Sequence, residues 1–123
     1  MARRPKTIAK KIIKFALGKK AEEVVLFDLR KITTMTDFFV ICSGGSDVQV
    51  KAIADAVLDG CKEQKINVYS VEGLDGLSWV LIDLVDVVVH VFQRDTRRYY
   101  QLERLWGDAV IETFDDEGRE AIR

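Results

Sequence analysis

The sequence predicts an α/β domain: a mixed β-sheet of about five strands covered by helices. Three observations predict it. Runs rich in β-branched and aromatic residues, such as Val24–Leu29, Phe38–Cys42 and Val87–Phe92, alternate with segments of helical periodicity. Their order is α-β-β-α-β-β-β-α, which neither an all-helical nor an all-strand layer accommodates. The chain has 123 residues, 48% of them hydrophobic, enough for one core and one domain. The expected division is a domain over residues 1–107 and an acidic C-terminal tail over 108–123, with Gly107 as the end of the folded part.

Each element has its own reason. Ile8, Ile12, Phe15 and Ala16 recur at helical spacing over residues 6–17, opposite a stripe of Lys6, Lys10 and Lys14, and Gly18 is the stop. Val24–Leu29 is a strand ended by Arg30-Lys31, and a polar connection leads to Phe38–Cys42. That second strand is apolar on both faces, as a covered central strand is. Ser43-Gly44-Gly45 ends it. Ser46 then starts a helix with Gln49 three residues on, a capping-box pattern. Asn67–Val71, Trp79–Asp83 and Val87–Phe92 are further strands, the last two joined by the tight link Leu84-Val85-Asp86. Asp95-Thr96 begins a closing helix with Tyr99, Leu102, Leu105 and Trp106 on its apolar side.

Composition excludes several classes. The formal net charge is −1, and disorder needs a higher charge and less apolar content. Cys42 and Cys61 are too few for a disulfide scaffold or a four-thiolate zinc site, and read as small buried hydrophobes. Asp83 and Asp86 interrupt the longest apolar run, so no membrane span is expected. The basic N-terminus lacks the apolar stretch of a secretory signal. Charge is uneven, however. Residues 1–20 carry eight basic groups, from Arg3 and Arg4 to Lys20, and no acid. The remaining residues carry 11 basic and 20 acidic groups, a balance of −9. One end can meet an anion while the body meets a cationic partner.

Catalytic chemistry is poorly represented, and no catalytic, cofactor or metal residues are assigned. His90 is the single histidine and sits mid-strand on the face of Val88 and Phe92, with no nucleophile suggested nearby. The Ser43-Gly44-Gly45-Ser46 loop lacks the Lys-Ser/Thr of a phosphate loop, so the glycines provide a tight exit and Ser46 a cap. The loop also resembles that of nucleotidyltransferases. Their two metal-holding carboxylates must share one strand face. Asp83 and Asp86 are three apart across a turn and Asp55 lies in a helix, so the fold is expected to be nucleotidyltransferase-like without an active site.

Larger blocks resemble one family. Thr36-Asp37-Phe38-Phe39-Val40-Ile41-Cys42-Ser43-Gly44 is similar to the strand-and-loop signature of the ribosomal silencing factor family, also called the Iojap family. Val71-Glu72-Gly73, Trp79–Leu84, Asp86–Phe92 and Arg97–Trp106 match its later blocks in order, so the resemblance covers roughly residues 8–106. The family often has glycine where this chain has Val85. A β-branched residue resists positive φ, so a different turn geometry is expected here.

The resemblance implies a non-enzymatic protein, without cofactor, that binds the large ribosomal subunit through ribosomal protein fourteen. Occupying the face where the small subunit docks would keep the subunits apart and lower translation. Without an Arg/Ser-rich transit segment, the chain is expected in a bacterial cytoplasm. Trp79, Leu81, Asp83 and His90 are the candidate partner-binding residues, an aromatic anchor with polar groups on strands that alternation can expose. Trp79 has a second reading as a core residue, and Trp106 is placed in the core. Lys6, Lys10 and Lys14 are candidate contacts to rRNA phosphates, or simply a solvated face. Exposed sheet edges would allow a homodimer when free. A nucleotidyltransferase-like enzyme and an RNA-binding module are the alternatives. The second lacks aromatics for base stacking, since Phe15 falls on the apolar helix face.

Overall fold

A computed structural model describes residues 4–115, 118 and 120–122. Arg3 and the side chain of Tyr99, named above, lie outside the described part, as do residues 116, 117, 119 and 123 of the expected tail. The elements are α1 (Pro5–Leu17), β1 (Glu22–Asp28), β2 (Phe38–Gly44), α2 (Asp47–Glu63), β3 (Ser70–Glu72), β4 (Trp79–Asp83), β5 (Val87–Gln93), α3 (Arg94–Tyr100), α4 (Leu102–Leu105), β6 (Val110–Phe114) and β7 (Glu120–Ile122). The strands form one mixed sheet in the order β3-β4-β5-β2-β1-β6-β7. β2 and β5 run parallel, and every other neighbouring pair is antiparallel.

Helix placement follows from side-chain period. Ala9, Ile12, Ile13 and Ala16 of α1 are buried, as are Val50, Ile53, Ala54 and Val57 of α2. Both stripes cover the sheet face carrying Val24, Leu26, Val40, Val80, Ile82, Val89 and Val91. The two helices approach closely at Gly60, where an added Cβ would stand 2.5 Å from the Phe15 ring. Ser46 caps α2 as expected: its Oγ accepts from the Gln49 N–H at 3.2 Å. The Gln49 side chain reaches back to accept from the Gly45 N–H at 2.7 Å. Cys42 and Cys61 are both buried and free, and burial pushes the Cys42 thiol up to about 12.

The opposite face is only partly covered. Val25, Phe27, Leu29, Ile41 and Phe92 form a second core there with Leu102 of α4. On the β4–β5 half of this face α3 packs against β5 and His90 and Phe92 are buried, while Trp79, Leu81, Asp83 and Val88 stay partly exposed, so this half is open only in part.

Four expectations are corrected. The sheet has seven strands, and β6 carries it past residue 107 into the segment read as a tail. Glu112 hid that strand: it faces the covered side, where Lys6 Nζ meets its carboxylate at 2.9 Å, so an acidic residue stands at a core position. The closing helix is broken at Gln101, whose φ is 47°, and Leu105 of α4 is 72% exposed instead of packing inward. β3 begins at Ser70, three residues later than expected from Asn67. Finally, Val85 does take a positive φ, 75°. The Asp86 N–H donates to the Leu84 carbonyl at 3.0 Å, closing a three-residue turn around Val85. The Asp83 carboxylate holds the Val85 N–H at 2.7 Å, which offsets part of the strain.

Candidate functional site

Strand alternation assembles the site. In the β4–β5 ladder Trp79 stands opposite Phe92, Leu81 opposite His90 and Asp83 opposite Val88. In the β2–β5 ladder Phe39 pairs with Val88 and Ile41 with His90. All of these side chains therefore share the open face. Part of this face borders a cavity of about 460 Å³. Phe39, Leu81, Val88 and His90 line it, with Thr36 from the loop before β2 and Trp106 from the end of α4. Met35, Tyr69 and Val85 add exposed apolar surface at 85%, 76% and 54%, clustered around one cavity.

His90 is held by its neighbours. The Trp79 indole N–H donates to His90 Nδ1 at 3.1 Å. Indole can only donate, so Nδ1 must be bare and the neutral ring carries its proton on Nε2. Phe39 meets the imidazole edge-on at 4.6 Å between ring centres, and Trp106 meets Phe39 edge-on at 5.7 Å. Burial pushes the His90 pKa down to about 4, so the ring is neutral at physiological pH. A neutral imidazole bonded to an indole is a donor and a packing group in this setting.

The sequence-derived residues divide unevenly. Leu81, Asp83 and His90 come together at the cavity. Trp79 adjoins it through His90, half-buried, stacked on Phe92 at 4.8 Å and tilted against Tyr100 at 4.8 Å. The core reading of Trp79 holds in part: the ring packs against the second core while its N–H orients His90. Trp106 is corrected, being a cavity wall and only partly buried. Thr36, Phe39, Met35 and Tyr69 were not anticipated as site residues. The run Phe38-Phe39 carried the signal for one of them, since a strand covered on one face and open on the other displays every second aromatic.

The lysine stripe lies on the other side of the sheet, because α1 packs on the covered face. Lys6 is ion-paired with Glu112 and Lys11 donates to the Gln64 side chain at 2.8 Å. Lys14 is exposed at the helix end. The structure therefore does not bring the stripe and the aromatic patch together.

A second, polar cavity opens beside the ends of β2 and β5. Arg94 forms a two-pronged pair with Glu22 at 2.5 and 2.6 Å, and that hydrogen-bonded pairing holds the Glu22 carboxyl below the usual range. Buried Arg97 donates to the Glu23 carbonyl at 2.7 Å and to Ser43 Oγ at 2.8 Å. These bonds anchor the irregular start of β1, where the register shifts and Glu23 has a φ of 48°. The Ser43–Ser46 loop serves the same packing, since a Cβ on Gly45 would stand 2.7 Å from the Arg94 guanidinium.

The chain is similar to known proteins over most of its length. The family model described as "Ribosomal silencing factor during starvation" matches residues 2–122. A Bacillus subtilis protein named ribosomal silencing factor RsfS is 47% identical over 110 residues, spanning 86% of this chain and 93% of its own. A protein of the same name from Halalkalibacterium halodurans is 53% identical over 91 residues, spanning 74% and 78%. A crystal structure of a Chromobacterium violaceum protein superposes with a TM-score of 0.83 at 34% identity, covering 85% of this chain and 88% of that one. With a family model spanning nearly its whole length and relatives close to half identical, the chain belongs to the ribosomal silencing factor family.

Proposed function

We propose that this protein binds the large ribosomal subunit through ribosomal protein fourteen and sterically blocks association with the small subunit, repressing translation. It works by occupancy in the cytoplasm, with no chemical step and no cofactor. The observation that carries the reading is the open β4–β5 face: an aromatic, acid-rimmed cavity on a sheet whose other face is covered. Such a patch offers the buried anchors that dominate protein–protein affinity. The acidic balance of residues 21–123, at −9, suits a basic ribosomal partner and speeds encounter.

The lysines take a secondary part. Of the candidate phosphate contacts Lys6, Lys10 and Lys14, Lys14 is the exposed one offered to rRNA phosphate, whereas Lys6 is committed to Glu112. A partner seated on the open face leaves α1 on the far side, so any phosphate contact adds salt-sensitive affinity and no sequence reading.

Sedimentation of the protein with purified ribosomal subunits tests this. Comigration with the large subunit, and not the small one, is expected. A protein that stays at the top of the gradient with both particles would overturn the reading.

A further inference from the structure

Two residues lining the open-face cavity each carry a buried polar atom that the fold leaves unpaired. Thr36 is 7% exposed and His90 4% exposed, both line the cavity, and neither Thr36 Oγ1 nor His90 Nε2 has a hydrogen-bond partner. Buried polar groups are almost always satisfied, and each orphan costs roughly 1–3 kcal/mol. Two in one apolar cavity on an exposed face are hydrogen-bonding capacity held for an occupant. The bond from Trp79 makes Nε2 a donor, so the occupant must present an acceptor. Among the described residues lining the cavity Asp83 is the charged one, which favours a cationic or neutral occupant. The walls of Phe39, Leu81 and Trp106 require an apolar body between these polar ends.

We infer that the cavity receives a non-helical, basic segment of the partner protein, one of whose peptide carbonyls accepts from His90 Nε2. The Thr36 hydroxyl bonds a neighbouring peptide group of the same segment. An apolar side chain or aliphatic stem lies against Phe39, Leu81 and Trp106, and a Lys or Arg head meets Asp83. A carbonyl in an extended segment is free to accept, whereas one in a helix interior already holds an intrahelical bond, so the extended segment is the better match. Neither orphan atom is open to solvent in the free protein, so docking includes a side-chain movement that uncovers them. Met35, flexible and 85% exposed at the rim, is placed to move. The inference rests on the docking function proposed above and adds the chemistry of what docks.

Thr36→Val removes one orphan while keeping shape, and Thr36→Ser keeps the hydroxyl. In titrations of intact large subunits, Thr36→Val is expected to bind about tenfold more weakly, the loss of one hydrogen bond, while Thr36→Ser binds nearly as wild type. The melting temperature of Thr36→Val should be equal to or above that of wild type, because an unsatisfied buried hydroxyl is gone. A Thr36→Val protein that binds as tightly as wild type would overturn the inference while leaving the docking function intact. Wild-type protein that fails to bind the subunit at all would overturn the docking function and this inference with it. Asp83→Asn, which keeps an acceptor for the Val85 N–H, should weaken binding and flatten its salt dependence; tighter binding would contradict a basic segment.

Discussion

The indole N–H of Trp79 donates to Nδ1 of His90 at 3.1 Å, and this bond decides which imidazole nitrogen holds the proton. One strand pair thereby converts a buried histidine into a fixed donor set just behind the wall of the cavity.

That arrangement makes stability depend on pH. His90 has a folded pKa lowered to about 4 by burial, against an ordinary value of 6.5. Above 6.5 the ring is neutral in both states and its contribution is fully present. As pH falls from 6.5 toward 4, the unfolded chain binds a proton that the folded one refuses, and stability is lost. At about 1.4 kcal/mol per pKa unit, the full loss is roughly 3 kcal/mol. Urea denaturation from pH 7 to 4 should show this slope, and a His90→Asn variant should show a shallower one. Equal slopes in the two proteins would place the acid sensitivity elsewhere.

The Val85 turn is a strained point. A β-branched residue at a φ of 75° is disfavoured, and glycine adopts that region freely. Val85→Gly should therefore stabilise the fold by about 1 kcal/mol, after the flexibility it adds to the unfolded chain is subtracted. The denaturation midpoint measures it. Since Val85 also rims the cavity, a gain in stability accompanied by weaker subunit binding would assign its side chain to the interface.

Lys6 and Lys14 should separate cleanly. Lys6→Gln leaves the Glu112 carboxylate, 8% exposed, without its cation, so the melting temperature should fall. Lys14→Gln touches an exposed position and should leave the melting temperature unchanged. On large subunits, Lys14→Gln should reduce the salt slope if phosphate lies within its reach. An unchanged slope identifies Lys14 as solvated surface.

Most of the fold was readable because periodicity reports burial directly. Ile8, Ile12 and Ala16 announced the inner face of α1, and Ser46 with Gln49 announced the start of α2. What escaped were positions where a distant partner overrules the local signal. Glu112 reads as tail until Lys6, more than a hundred residues away, neutralises it in the sheet. Val85 reads as a barrier to a tight turn until the Asp83 carboxylate secures its N–H. Gln101 carries no breaker signature, yet it takes the left-handed conformation and turns Trp106 toward Phe39. The site was readable in part for the same reason. Alternation placed Leu81, Asp83 and His90 on one face, but it could not tell that the helices would leave that face open. Thr36 and Met35 lie in a loop, where no period operates.

The central claim is that one bound molecule prevents two particles from meeting. Light scattering of mixed large and small subunits measures joining directly. With protein added in excess to the large subunit first, joining should fall in proportion to occupancy. The Thr36→Val variant should need a higher concentration for the same effect. Joining that proceeds to its full extent on saturated large subunits would contradict the account.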